Sequence, residues 1–269
     1  YVDDVFRTFL YTGSGNNQTI TNGIDLAGEG GLVWIKSRSS YNSHNLYDTE
    51  RGTNKYLETN STNASYNIAA NFGSSYGLTN FNNNGFTLGQ NFDGENAVGA
   101  NIVSWAFRKA PGFFDIVTWT GNGVNGRQIA HNLGSSPGCI VVKSITSGSD
   151  WITYHRSLGG TKYLKLNSTA QAQQAAWAFN NTNPTSTHFT VSSDGYMNGT
   201  GHSYIAYIFA HDNQQFGTDG NESIIKCGTY NGTSQNGNFV NLGWEPQWIL
   251  VKNVDRNDDW SIFDNQITM

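Results

Sequence analysis

Gly31-Leu32-Val33-Trp34-Ile35-Lys36 is a short apolar run closed by a lysine, and it returns twice. The second copy is Gly138-Cys139-Ile140-Val141-Val142-Lys143 and the third is Gln247-Trp248-Ile249-Leu250-Val251-Lys252. The closing lysines lie 107 and 109 residues apart. After a polar loop each run meets a second strand-like stretch: His44 to Asp48, Trp151 to His155 and Trp260 to Asp264. Self-similarity at a fixed period marks a tandem array of one unit.

Working outward, Phe113 to Trp119 matches Phe6 to Tyr11, and Trp119-Thr120-Gly121 matches Tyr11-Thr12-Gly13. Tyr163-Leu164-Lys165-Leu166-Asn167-Ser168-Thr169 matches Tyr56-Leu57-Glu58-Thr59-Asn60-Ser61-Thr62. Tyr204 to Ala210 matches Ile102 to Arg108. The third copy offers strand-like runs at 224–230, 239–242, 248–252 and 260–264, then stops. The expected modules are therefore 1–110, 111–217 and an incomplete 218–269. Starting at Tyr1 and stopping partway through a copy, the chain reads as the ordered part of a longer protein. Each full copy holds seven or eight short runs punctuated by turn signals, the pattern of an all-β sandwich. Strict alternation in Ile102–Arg108 puts Val103, Trp105 and Phe107 on one face, the face expected to enter the core. Residues 64–84 read as a long ordered loop, and Ala170 to Phe179 as a short helix. The junctions, 109–112 and 216–220, are too short to be flexible linkers, so stiff end-to-end packing is expected.

Only 13 % of the residues are charged, against about 25 % in ordinary soluble domains. The net charge is −5 with no basic stripe, which removes the electrostatic footprint expected for nucleic acid. No run of about 18 apolar residues is present, so no helical membrane span is expected. Cys139 lies inside an apolar run, and it and Cys227 fall in different modules, so no disulfide framework is implied.

Candidate chemistry is thin. Asp48 and Glu50 point the same way on a strand, but their counterparts are His155 and Ser157, then Asp264 and Gln266. A carboxylate pair for glycoside hydrolysis is thus not repeated. Asp93-Gly94-Glu95 reads as turn chemistry. The histidines are scattered without a metal-ligand spacing. No cofactor is called for. Calcium has one foothold, Asp255-Arg256-Asn257-Asp258-Asp259, whose spacing is that of a hairpin loop and not of a calcium loop. Gly28-Glu29-Gly30-Gly31 precedes a strand, the wrong order for a phosphate cradle. The expectation is a protein without catalytic residues. Tyr41, Tyr66, Tyr76 and Tyr196, aromatic in polar loops, are the candidates for stacking on sugar rings.

Tyr1-Val2-Asp3-Asp4-Val5-Phe6, Gly23-Ile24-Asp25-Leu26, Gly31 to Lys36 and Phe113-Phe114-Asp115-Ile116-Val117 resemble a repeated module of virion structural proteins in tailed marine phages. So do Ile129-Ala130-His131-Asn132-Leu133-Gly134 with Pro137-Gly138, and Tyr154-His155. The resemblance runs along nearly the whole chain. It implies a concanavalin-like or jelly-roll sandwich on a tail fibre or other appendage of an extracellular particle. The implied partners are copies of the chain itself in a trimer or ring, other virion proteins and host-surface glycans.

Overall fold

The computed structural model describes residues 1–266. It is all-β, with 36 % of residues in strands and 5 % in helices. Copy one forms β1 (Phe6–Thr12), β2 (Gln18–Thr21), β3 (Gly31–Ser37), β4 (Asn45–Asp48), β5 (Lys55–Glu58), β6 (Tyr66–Asn67), α1 (Ile68–Phe72), β7 (Leu78–Asn82), β8 (Gly85–Leu88) and β9 (Asn101–Arg108). Copy two forms β10 (Phe114–Thr120), β11 (Arg127–Ala130), β12 (Cys139–Ser144), β13 (Ile152–His155), β14 (Lys162–Lys165), β15 (Gln173–Gln174), α2 (Ala176–Phe179), β16 (His188–Val191) and β17 (Ser203–Phe209). Copy three contributes the hairpin β18 (Trp248–Val251) and β19 (Ser261–Asp264).

Each full copy is a two-layer sandwich. Its large antiparallel sheet has the order β1-β9-β3-β4-β5-β6 in copy one and β10-β17-β12-β13-β14-β15 in copy two. A small sheet, β2-β8-β7 or β11-β16, covers one face. The shared Tyr/Trp-Thr-Gly turn ties the layers: Tyr11 Oη donates to the Glu95 carbonyl at 2.7 Å, and Trp119 Nε1 to the Met197 carbonyl at 3.1 Å. Glycine is needed there because a Cβ would lie 2.1 Å from the Ala97 oxygen at Gly13 and 2.0 Å from the Gly199 oxygen at Gly121.

Period-2 alternation sorts each central strand between two cores. Val33, Ile35, Ile102 and Ala106 face the small sheet of copy one, while Ile140, Val142, Ala206 and Ile208 face that of copy two. The opposite faces meet in a third, shared core. Leu32, Trp34, Val103, Trp105 and Phe107 of copy one pack there with Phe114, Ile116, Val141, Ile205 and Tyr207 of copy two, and Trp248 and Ile262 of copy three pack against them. Val103, Trp105 and Phe107 are buried, but between copies and not inside their own module. The copies therefore pack sheet face to sheet face, not end to end. The cause is apolar side chains on both faces of β3 and β9.

The contact between copies repeats. Trp151 Nε1 donates to the Glu58 carbonyl at 3.0 Å, and Trp260 Nε1 to the Lys165 carbonyl at 2.9 Å. Lys143 Nζ reaches the Thr62 carbonyl at 3.1 Å, and Lys252 Nζ the Thr169 carbonyl at 3.0 Å. The Ser65 N–H donates to the Ile145 carbonyl, and the Ala172 N–H to the Val254 carbonyl. These partners occupy matching repeat positions, so the step from copy one to two is repeated from two to three. A further pair closes the circuit: Tyr207 of copy two donates to Asp48 of copy one at 2.7 Å, and Trp105 of copy one to Asp264 of copy three at 3.1 Å. The relation returns to its start after three copies, a pseudo-threefold arrangement around the shared aromatic core.

Two local expectations differ from the structure. Residues 64–84 carry β6, α1 and β7 instead of one long loop, because Asn67 caps α1 through the Ala70 N–H and Ile68 anchors it in the core. The runs at 224–230 and 239–242 form no strand. Residues 267–269 of the third module lie outside the described residues. No helix among the described residues is long and apolar enough to cross a membrane.

His44 supplies a pH test of this packing. Its Nδ1 accepts from Trp34 Nε1 at 3.1 Å. Burial, with the Lys36 charge, pushes the imidazole down from 6.5 to about 4. The unfolded chain binds the proton first as pH falls. This contribution is complete above pH 6.5 and is lost as pH drops towards 4. The urea midpoint of the wild type should fall more steeply across this window than that of His44→Gln, with equal slopes overturning the assignment.

Candidate functional site

The four tyrosines read from the sequence fall at three places. Tyr66 lies on β6, where Tyr66 pairs with Tyr56 of β5 across the sheet edge. Its ring stacks on Phe92 with centroids 5.5 Å apart and planes at 25°. Phe92 in turn meets Tyr56 at 5.6 Å and Phe72 at 5.1 Å, and Phe72 meets Tyr76 at 6.2 Å. Tyr66 and Tyr76 thus belong to one aromatic platform, with Phe72 55 % exposed at its outer side. Tyr41 is fully exposed on the β3–β4 loop. That loop adjoins the platform's rim, since Asn42 packs so close to Gly94 that a Cβ there would lie 2.4 Å from it.

The platform is held from beneath. The buried Glu95 carboxylate accepts the Phe92 N–H at 2.9 Å and the Asp93 N–H at 2.7 Å, which fixes the Phe92 ring. Burial raises the Glu95 carboxyl, partly offset by these hydrogen bonds. Burial and then the Glu58 charge raise the Asp93 carboxyl, whose Oδ2 is buried without a hydrogen-bond partner. Lys36 Nζ donates to the Ser40 and Asn42 carbonyls. The carboxylates thus brace the platform from within, and what it turns outward are the rings of Tyr66 and Phe72, 37 % and 55 % exposed, whose faces can take apolar C–H groups.

Copy two builds a platform at the matching place. Tyr163 of β14 meets Trp177 of α2 at 4.7 Å, and Trp177 meets Tyr196 at 5.4 Å. The Tyr196 N–H donates to Asp194 Oδ1, which holds the turn that presents this 39 % exposed side chain. Sequence reasoning missed Tyr56, Phe72, Phe92, Tyr163 and Trp177. Phe92 met the same criterion as the tyrosines, a lone aromatic in a polar loop. The Tyr56–Tyr163 match was visible in the repeat.

The other candidates are structural. Asp48 is buried against Arg51, and Glu50 pairs with Lys109 at 2.8 Å, so the two carboxylates serve separate partners. The Asp255–Asp259 loop is braced internally: Asn253 Oδ1 accepts the Asp255 and Arg256 N–H groups, and Asp258 accepts from Asn253 Nδ2. Among the described residues no group of three or more His, Cys, Asp or Glu is placed to hold a metal ion. Cys139 and Cys227 are free thiols, both raised first by burial, and Cys227 Sγ packs against Gly138.

A large-sheet sandwich repeated about a shared core, with an aromatic platform on each full copy, defines the class of protein. The chain belongs to the family DUF7483, a domain of unknown function, whose model matches residues 2–268. No curated protein and no solved structure matches it.

Proposed function

We propose that this chain is a non-enzymatic structural protein of a virion appendage, a tail fibre or related part, that assembles with copies of itself and other virion proteins and meets the host surface. The observation that carries the reading is the repeated contact between copies. What recurs is Trp, Lys and backbone partners that join one copy to the next, while the titratable residues that could do chemistry differ from copy to copy. A chain that repeats its joints and varies its ionisable groups is built as a shape and a surface. Gold-labelled antibody against the chain, viewed on purified particles of the tailed phage that encodes it, should decorate the tail periphery. Absence of the chain from the particle proteome would overturn the reading.

The two matching platforms favour a second role in the same setting, carbohydrate contact. Tyr66→Ala with Trp177→Ala should weaken binding to a glycan that the wild type retains on an array by about tenfold or more, at unchanged folding by circular dichroism. Undiminished binding would remove the platforms from the contact.

A further inference from the structure

Two of the three junctions of the pseudo-threefold arrangement carry the loop grip; between copies three and one the central Trp105–Asp264 contact is made, but the grip is not formed among the described residues. Copy one presents to that junction the loop from Arg38 to His44, whose counterparts 145–151 and 254–260 grip the preceding copy. His44 stands where Trp151 stands in copy two. Its Nδ1 accepts from Trp34, which leaves Nε2–H as its donor in place of the indole N–H. Copy three presents the inner face of its hairpin. Phe263 is 47 % exposed there, whereas its counterparts Tyr47 and Tyr154 are 0 % and 4 % exposed. Ile249, Val251 and Leu242 are only half-buried, where the matching residues of β3 and β12, with Leu26 and Leu133, are fully buried.

The sheet order says what is lacking. β1 and β10 pair only with the closing strands β9 and β17, which also lie against β3 and β12. In copy three no described residue fills that slot. Residues 224–230, the counterpart of the first strand, accordingly form no strand, and Trp248 Nε1 is buried without a partner.

We infer that this open face is a docking surface for a polypeptide segment with the closing half of the same repeat, the half that runs from β5 to β9 in copy one. The two finished copies specify its chemistry. It brings a strand with the alternation of Ile102–Arg108 to lie between residues 224–230 and β18. It sets an aromatic polar side chain beside His155, the counterpart of Asp48 and Asp264, which receive Tyr207 and Trp105. It offers carbonyls, as Glu58 and Thr62 do, to the His44 side of copy one.

The test appends residues 51–108 of copy one directly after Gln266, which occupies the repeat position of Glu50, in place of residues 267–269. The appended segment should become protected from hydrogen exchange, together with Trp248 and Phe263. The melting temperature should rise by about 4 °C or more. Ile249→Asp should abolish that gain in the extended chain while leaving the unextended chain near its own value. An appended segment that stays labile, or a gain that survives Ile249→Asp, overturns the inference. Concentration-dependent self-association of the unextended chain that protects Phe263 overturns it too, by making a second copy the occupant.

Discussion

Truncating Phe107 to alanine is expected to destabilise copies one and two together, by about 3–5 kcal/mol. The side chain is 3 % exposed and sits at the meeting point of the shared core. Its ring lies 4.8 Å from Phe6, 5.7 Å from Phe114, 5.6 Å from Phe209 and 5.5 Å from Trp248, so it touches rings from all three copies. The neighbours cannot collapse into the space, because they are pinned in strands of three sheets: Phe6 in that of copy one, Phe114 and Phe209 in that of copy two and Trp248 in the hairpin of copy three. Aromatic pairs of this kind add about 0.5–1.5 kcal/mol beyond the area they bury. The informative control is Phe179→Ala, equally buried but inside the core of copy two alone. Urea unfolding followed at copy-specific probes should show both copies shifted by Phe107→Ala. If only copy one shifts, the shared core does not couple the sandwiches, and face-to-face packing carries less of the stability than its burial suggests.

The repeat unit and its β character were legible because strands and turns are local. The alternation in Ile102–Arg108 divides that strand correctly into two faces. It cannot say which core each face enters, since that depends on sheets more than a hundred residues away. A local signal did exist. Leu32-Val33-Trp34-Ile35 is apolar on both faces, the mark of a strand buried on both sides, which a lone two-layer sandwich does not require. The lysine ending each run was equally visible, but its meaning was not. Lys143 reaches the Thr62 carbonyl 81 residues back, and burial pushes its amine down to about 8. The platforms were half legible. Tyr66 and Tyr76 stand out as aromatics in polar sequence, whereas Phe72 and Trp177 sit on short helices whose orientation only tertiary packing decides.

Arg51→Ala is expected to cost about 3–5 kcal/mol, because it strands a buried charge at the junction of copies one and two. The side chains of Arg51 and Asp48 are 2 % and 0 % exposed. Arg51 Nε donates to Asp48 Oδ2, its Nη2 to the Leu46 carbonyl at 2.7 Å and its Nη1 to Ser65 Oγ at 3.0 Å. Tyr207 Oη donates to the same carboxylate from copy two, and burial raises its own hydroxyl well above the ordinary range. Tyr207→Phe removes one charge-assisted hydrogen bond and should cost about 1.5–3 kcal/mol. The net worth of the network is a different quantity from these truncation costs. Desolvating two charges opposes their attraction, so replacing all three residues by apolar ones of similar volume (Asp48→Leu, Arg51→Met, Tyr207→Phe) should restore most of what Arg51→Ala loses. Copy two has Leu158 where copy one has Arg51, and His155 where it has Asp48, so the repeat itself contains a version of the site without the ion pair. Equilibrium urea midpoints for the single and triple variants decide the matter. A triple variant no more stable than Arg51→Ala would mean that the ion pair itself, and not its desolvated shape, holds the two sheets in register.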